Sequence, residues 1–315
     1  MKKNIAICFS GAIRSFHLSY ENINKMIIEP LKKNYNVYIF GHFWVLKQEE
    51  NLDNLSYKMK WKKESDCVYN IISNFNFTQY VIDDYSPLKE KEIMENLGTI
   101  RLDTNNTNNS NTNNSDTNSD TNNNDTNNSD TNKILLADKI LSTYRLIKDP
   151  EKQVNYLNYA VNCMGMYYKI MMCNNLKNDW TNNPELNVNN IKFDYCIRMR
   201  PDFYWNDSIP PTIFEGITDN NIILVYDNYC TRARWQGNDK FFAGTDTMMN
   251  EYCNLYKNFE YFFNKNIRIE GQELAQAMIK KLNLKITFFG NEKTYDKIAG
   301  SVHRRLERLY TKTKS

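Results

Sequence analysis

Tyr195-Cys196-Ile197-Arg198-Met199-Arg200-Pro201-Asp202 reads as an apolar strand that ends in two arginines, a proline and an aspartate. Successive side chains of an extended chain alternate between faces, so Tyr195, Ile197 and Met199 share one face and Cys196, Arg198 and Arg200 the other. Two guanidinium groups then stand about 7 Å apart on the same face. Pro201 has no N–H to give to a ladder and is predicted to end the strand, leaving Asp202 near its carboxyl end. In open α/β sheets ligands bind outside that end. A pair of forked cations suits a diphosphate, and the adjacent carboxylate suits a divalent ion or a sugar hydroxyl. The competing reading is an edge strand whose arginines face water or pair with surface acids.

The neighbouring segments favour the first reading. Asn4 to Phe9 is a short apolar run predicted to be a buried strand, and Ser19 to Leu31 a helix with Tyr20, Ile23, Ile27 and Leu31 on one face. Between them lies Ser10-Gly11-Ala12-Ile13-Arg14, the first strand-to-helix turn, where Gly11 permits close backbone approach and Arg14 adds a cation. Val37 to Trp44 and Gln79 to Asp83 continue the pattern as strands, with a helix around Ser65 to Ser73 between them. Strand, helix, strand, helix, strand is an α/β order. Farther on, Val154, Leu157, Val161, Met164, Tyr168 and Met171 recur at three-four spacing and mark one stripe of a long helix before the motif strand, which runs from Phe193 to Arg200. A Pro210-Pro211 turn, a strand over Asn221 to Asp227 and a helix capped by Thr245 follow. That helix has Met248, Met249, Tyr252 and Tyr256 on its apolar face, and a helix from about Glu270 to Leu282 leads into a strand at Lys285 to Phe289.

Composition narrows the classes. Forty Lys and Arg against 37 Asp and Glu leave a formal charge of +3, which gives no global electrostatic case for nucleic acid or an anionic membrane. The apolar run after Met-Lys-Lys-Asn breaks at Ser10-Gly11, too early for a signal-peptide core, and no stretch approaches the roughly 20 apolar residues of a membrane span. A soluble, cytoplasmic protein is expected. Seven cysteines without C-x-x-C spacing read as reduced core residues, and three histidines (His17, His42, His303) exclude a His-rich zinc site while allowing oxygen-ligated Mg²⁺ or Mn²⁺. Every residue from Asp103 to Asn132 is Asn, Thr, Ser or Asp, a composition that cannot offset the entropy of ordering. The tract is read as a disordered insertion in a loop of one domain spanning 1–315, and no chemistry is assigned to it.

Other polar groups flank the motif strand. Asp227-Asn228 follows an apolar strand, and Trp235-Gln236-Gly237-Asn238-Asp239-Lys240 precedes Phe241-Phe242-Ala243-Gly244; an indole beside amides and a carboxylate suits a carbohydrate as well as it suits an ordinary loop. Glu270-Gly271-Gln272-Glu273 opens the last long helix, where acids complement the dipole or, alternatively, where Glu270 or Glu273 takes a proton from an acceptor hydroxyl. His303, followed by Arg304, Arg305 and Arg308, is a candidate metal ligand on a basic tail that otherwise reads as a solvated helix face.

Taken together, Ser10 to Arg14, Val37 to Trp44, Tyr195 to Asp202, and Asn238-Asp239-Lys240 with Gly244 resemble a family of GT-A-type glycosyltransferase-like proteins. In that family an Arg-x-Arg-Pro-Asp motif stands where other members carry Asp-x-Asp. The resemblance implies a GT-A-like, Rossmann-like mixed central sheet flanked by helices. It also implies a nucleotide-diphosphate-sugar donor over the first strand turn (Ser10, Gly11, Arg14, Arg198, Arg200), with Asp202 at the metal or donor-sugar position and Asp239 facing a glycan or glycoprotein acceptor. The chain departs from the family in lacking Asp-x-Asp at the strand end. A catalytically inactive sugar- or partner-binding protein is the second reading. A methyltransferase lacks support because no Gly-x-Gly-x-x-Gly follows the first strand.

Overall fold

The computed structural model describes residues 2–13, 16–45, 72, 75–84, 150–226, 239–290 and 295–297. Its centre is a seven-stranded sheet in the order β3-β2-β1-β4-β7-β6-β8. The strands are β1 (Lys3–Ala12), β2 (Tyr35–Val45), β3 (Gln79–Asp84), β4 (Tyr195–Met199), β6 (Asn221–Val225), β7 (Phe241–Thr245) and β8 (Lys285–Phe289), with β5 (Phe203–Trp205) and β9 (Tyr295–Lys297) forming a separate antiparallel ribbon. Only β7 runs against the other sheet strands, since it pairs antiparallel with β4 and β6 while the remaining pairings are parallel. The α/β architecture that the element order predicts is therefore present, as is the mixed sheet flanked by helices that the resemblance implies.

The motif strand is the fourth of seven and all five of its residues are buried, so the edge-strand reading is wrong. Alternation places its residues as expected. Tyr195, Ile197 and Met199 pack with Ile5, Ile7, Phe9, Ile39 and Phe43 on one face, whereas Cys196 joins Ala6, Cys8, Phe40 and Phe242 on the other. The first face is covered by α1 (Phe16–Ile23), continued through a π turn (Asn24–Ile28) into α2 (Glu29–Lys32). Ile23, Ile27 and Leu31 are buried there, with Tyr20 partly so. Pro30 has no N–H for the Met26 carbonyl, and Ile209 N–H fills that role at 2.9 Å.

The second face carries α3 (Pro150–Asn182), then α4 (Asp246–Cys253), a 3₁₀ turn, α5 (Phe259–Asn264) and α6 (Gly271–Lys281). Thr245 caps α4 as expected, its Oγ1 accepting from Met248 N–H at 3.3 Å. On α3 the buried face is wider than the predicted stripe: Met164 and Met171 are buried as expected and Val161 and Tyr168 are half-buried, but Tyr156, Ala160, Cys163, Tyr167, Ile170, Asn174 and Lys177 are buried as well. The helix is covered on two sides, by the sheet and by the C-terminal helices, so small and polar residues with partners occupy positions that an apolar count passes over.

The first strand also ends later than predicted. β1 stays paired with β2 through Ala12, opposite Trp44, and Gly11 takes φ +117° inside the strand rather than in the turn expected after it. Its pairing with β4 stops at Phe9 and Met199. Beyond that point the two strands part. Arg14, the helix expected around Ser65 to Ser73 apart from Ile72, the 103–132 tract, the side chains of Val154 and Leu157, Asp227-Asn228, Trp235 to Asn238 and the His303 segment lie outside the described residues.

Candidate functional site

The place where β1 and β4 part is a topological switch point, because from β1 the chain runs outward through β2 and β3 on one side and resumes with β4 on the other. Crevices that hold ligands in open α/β sheets form outside the carboxyl ends of strands at such a point. Ser10, Arg198, Arg200 and Asp202 are all there, joined by Asp239 from the amino end of the antiparallel β7.

Arg198 is wholly buried and spans the parting strands. Its Nε donates to Ser10 Oγ at 2.9 Å, its Nη2 to the Ser10 carbonyl at 3.5 Å, and its Nη1 to the Asp239 carbonyl, with the guanidinium 5.1 Å from the Phe242 ring centroid. Burial pulls this guanidinium down to about 10, where it is still charged at neutral pH. Arg198 thus holds the crevice floor together.

Arg200 is one turn of alternation nearer the opening, with its side chain 16% exposed. It forks onto Asp202, Nε to Oδ1 at 2.9 Å and Nη2 to Oδ2 at 2.7 Å, and reaches Asp239 Oδ2 through Nη1 at 3.3 Å. Burial opposes its charge, but the Asp202 and Asp239 carboxylates outweigh burial and hold its pKa above the ordinary arginine value. Pro201 ends the ladder after Arg200 N–H bonds the Lys240 carbonyl at 3.0 Å, and Ser19 Oγ fixes the Pro201 carbonyl at 2.5 Å. The bend this produces turns the Asp202 carboxylate back under the Arg200 fork.

Behind Asp239 lies the start of α6. A methyl group on Gly271 would stand 3.5 Å from the Asp239 carboxylate carbon. Tyr167 donates to the Gly271 carbonyl at 2.5 Å. Burial pushes Tyr167 and Tyr252 far up and Cys163 up to about 12, so all three stay protonated at neutral pH and Cys163 is no nucleophile. Glu270 occupies the N-cap position of α6 but makes no side-chain capping bond, so capping does not account for it. Glu273 is 3.5 Å from Arg268 at Oε1.

Burial, and then the neighbouring Glu270 charge, raises Glu273 above its ordinary value. A carboxyl raised on folding opposes the fold once ionised, so its contribution is favourable below the unfolded pKa and is lost as pH rises through the folded one. Glu273→Gln is therefore expected to match wild type in thermal melts at acid pH and to melt higher above the folded Glu273 pKa. Identical pH profiles would refute this.

A second polar cluster at the same edge of the sheet escaped the sequence reading. Lys169 of α3 is completely buried, with Nζ 2.9 Å from His42 Nδ1, 2.5 Å from Asp83 Oδ2 and 3.6 Å from the Trp44 ring centroid. It ties the carboxyl ends of β2 and β3 to the helix. The signal was present as a lysine set among Met, Tyr and Ile in the middle of the helix. Its partners, 86 and 127 residues away, were not foreseeable.

No group of three or more His, Cys, Asp or Glu suited to a metal ion occurs among the described residues. Both Asp202 oxygens already accept from Arg200, and that guanidinium stands between the two carboxylates a divalent cation would bridge. As they stand, these residues do not fit a metal. No described helix is long and apolar enough to cross a membrane, and the described cysteines, Cys8, Cys163, Cys173, Cys196 and Cys253, are unpaired and buried.

No protein-family model matches the chain, and no curated protein matches its sequence. Among 90 matching chains of solved structures is mouse xyloside xylosyltransferase 1 in its apo form, at 6% identity and a TM-score of 0.35, covering 92% of this chain and 85% of that one. At that TM-score the likeness supports nothing further.

Proposed function

We propose that the chain is a nucleotide-sugar-dependent glycosyltransferase of GT-A-like architecture, with the donor diphosphate seated where β1 and β4 part. The observation that carries this reading is the Arg200 fork with Asp202 and Asp239, set outside the carboxyl ends of the strands on a floor fixed by Arg198 and Ser10. The bond between the anomeric carbon and the donor's diphosphate oxygen breaks. An acceptor hydroxyl forms the new glycosidic bond, and its proton passes to a carboxylate, for which Asp239, Glu270 and Glu273 are the candidates. Arg200 exchanges a carboxylate partner for a departing phosphate oxygen, so a guanidinium already in place meets the developing charge. Asp202 holds the fork in line.

A non-catalytic sugar-binding protein is the second reading, and one observation favours it: two arginines and two aspartates balance, leaving no surplus positive charge for a diphosphate. The test is a screen of nucleotide sugars for thermal stabilisation and hydrolysis, with and without EDTA, on wild type and Asp202→Asn. At a hundred times Kd, a bound donor is expected to add about 2.7 kcal/mol to stability. Turnover that persists in EDTA and falls in Asp202→Asn supports the proposal. Binding without turnover selects the second reading, and absence of binding ends the first. Loss of binding in EDTA would show that a metal displaces Arg200 from its carboxylates.

A further inference from the structure

The long helix α3 and the entry to α6 frame a surface beside Asp239. Tyr156 donates to the Ile269 carbonyl at 3.5 Å and Tyr167 to the Gly271 carbonyl at 2.5 Å, so the two helices' residues are locked together on either side of Glu270. Tyr159 stands between them on α3, three residues after Tyr156 and four before Cys163. Its ring is 48% exposed and lies against the Tyr156 ring at 6.3 Å between centroids. One turn further along α3, Cys163 is buried. Partial burial, then Cys163, then the Glu270 and Asp239 carboxylates hold the phenol protonated. A half-exposed aromatic ring packed on a second tyrosine, beside the stretch of chain that carries Glu270, is a built surface and not a stray apolar side chain.

A pyranose carries an apolar C–H face and a rim of hydroxyls. The ring satisfies the first by stacking, and the carboxylates satisfy the second by accepting hydrogen bonds. We propose that Tyr159 is the platform of the acceptor subsite, on which a pyranose lies with its rim hydroxyls toward Asp239 and Glu270. This rests on the glycosyl-transfer reading of the crevice. It adds a specificity residue to that reading: a sugar with an unbroken C–H face, such as a β-galactoside, is preferred to one whose axial groups interrupt both faces.

The test is saturation-transfer NMR on the full chain with methyl β-D-galactopyranoside and with methyl α-D-galactopyranoside, whose axial O1 and O4 interrupt opposite faces and which is expected to bind more weakly, each with and without uridine diphosphate. Wild type is expected to saturate the ring C–H protons of one sugar face. Tyr159→Phe should keep that pattern because it keeps the ring, whereas Tyr159→Leu and Tyr159→Ala, checked for unchanged melting, should weaken binding roughly tenfold. Absence of saturation transfer in wild type, or its persistence in both ring-less variants, would overturn the platform. Nucleotide affinity separates the two failures. If uridine diphosphate binds and no sugar does, the platform alone is wrong; if a sugar binds through Tyr159 and no nucleoside diphosphate does, the donor reading is wrong.

Discussion

Arg200→Ala is expected to lower unfolding free energy by about 3–5 kcal/mol and to abolish nucleotide binding. Asp202 has a side chain only 3% exposed, and the Arg200 fork satisfies both of its oxygens. Deleting the guanidinium leaves that carboxylate buried without its cation and brings it face to face with Asp239, which is 17% exposed and takes up water more readily. Most of the penalty therefore sits on Asp202. The double variant Arg200→Ala, Asp202→Asn removes the stranded charge and should recover most of the lost stability while binding stays lost. Urea unfolding of the two variants and wild type checks this. If the single variant is as stable as wild type, the network is a surface pair and the crevice is more open to water than described.

Lys169→Met is the second large effect, expected at about 2–3 kcal/mol. The ammonium has no exposure, whereas Asp83 retains 24%, so the stranded carboxylate rehydrates in part and the cost falls at or below the range for fully buried pairs. Methionine keeps the stem's packing against Trp44 and isolates the charge. Lys169→Arg should not restore stability, because a planar fork does not fit a site shaped for one nitrogen 2.9 Å from His42 and 3.6 Å from an indole centroid. Thermal melts of both variants decide it, and full stability of Lys169→Arg would refute the geometric argument.

What the sequence revealed followed local periodicity. β4 alternates as read, β6 and β8 fall where apolar runs end in turns, and Thr245 caps its helix, whereas β7 was not read as a strand. The sequence was silent where position depends on distant partners. Arg198 meets Ser10 across 188 residues and Arg200 meets Asp239 across 39, so alternation could place the arginines on one face but not reveal that one is a buried strut and the other a paired fork. The extra breadth of the buried α3 face has the same origin: Lys169, Asn174 and Lys177 are buried on a helix covered from two sides. Gly11 was legible as a place for unusual backbone but not as part of a strand, because the pairing that extends β1 is supplied by β2.

The central claim is that a nucleoside diphosphate occupies the gap where β1 and β4 separate. The most direct measurement is a crystal structure of the chain soaked with uridine or guanosine diphosphate. The diphosphate is expected outside the ends of β1 and β4, with Arg200 turned from one of its carboxylates onto a phosphate oxygen and the Arg198 bond to Ser10 unchanged. A nucleotide bound elsewhere, or one seated with the Arg200 fork on Asp202 and Asp239 untouched, would contradict it.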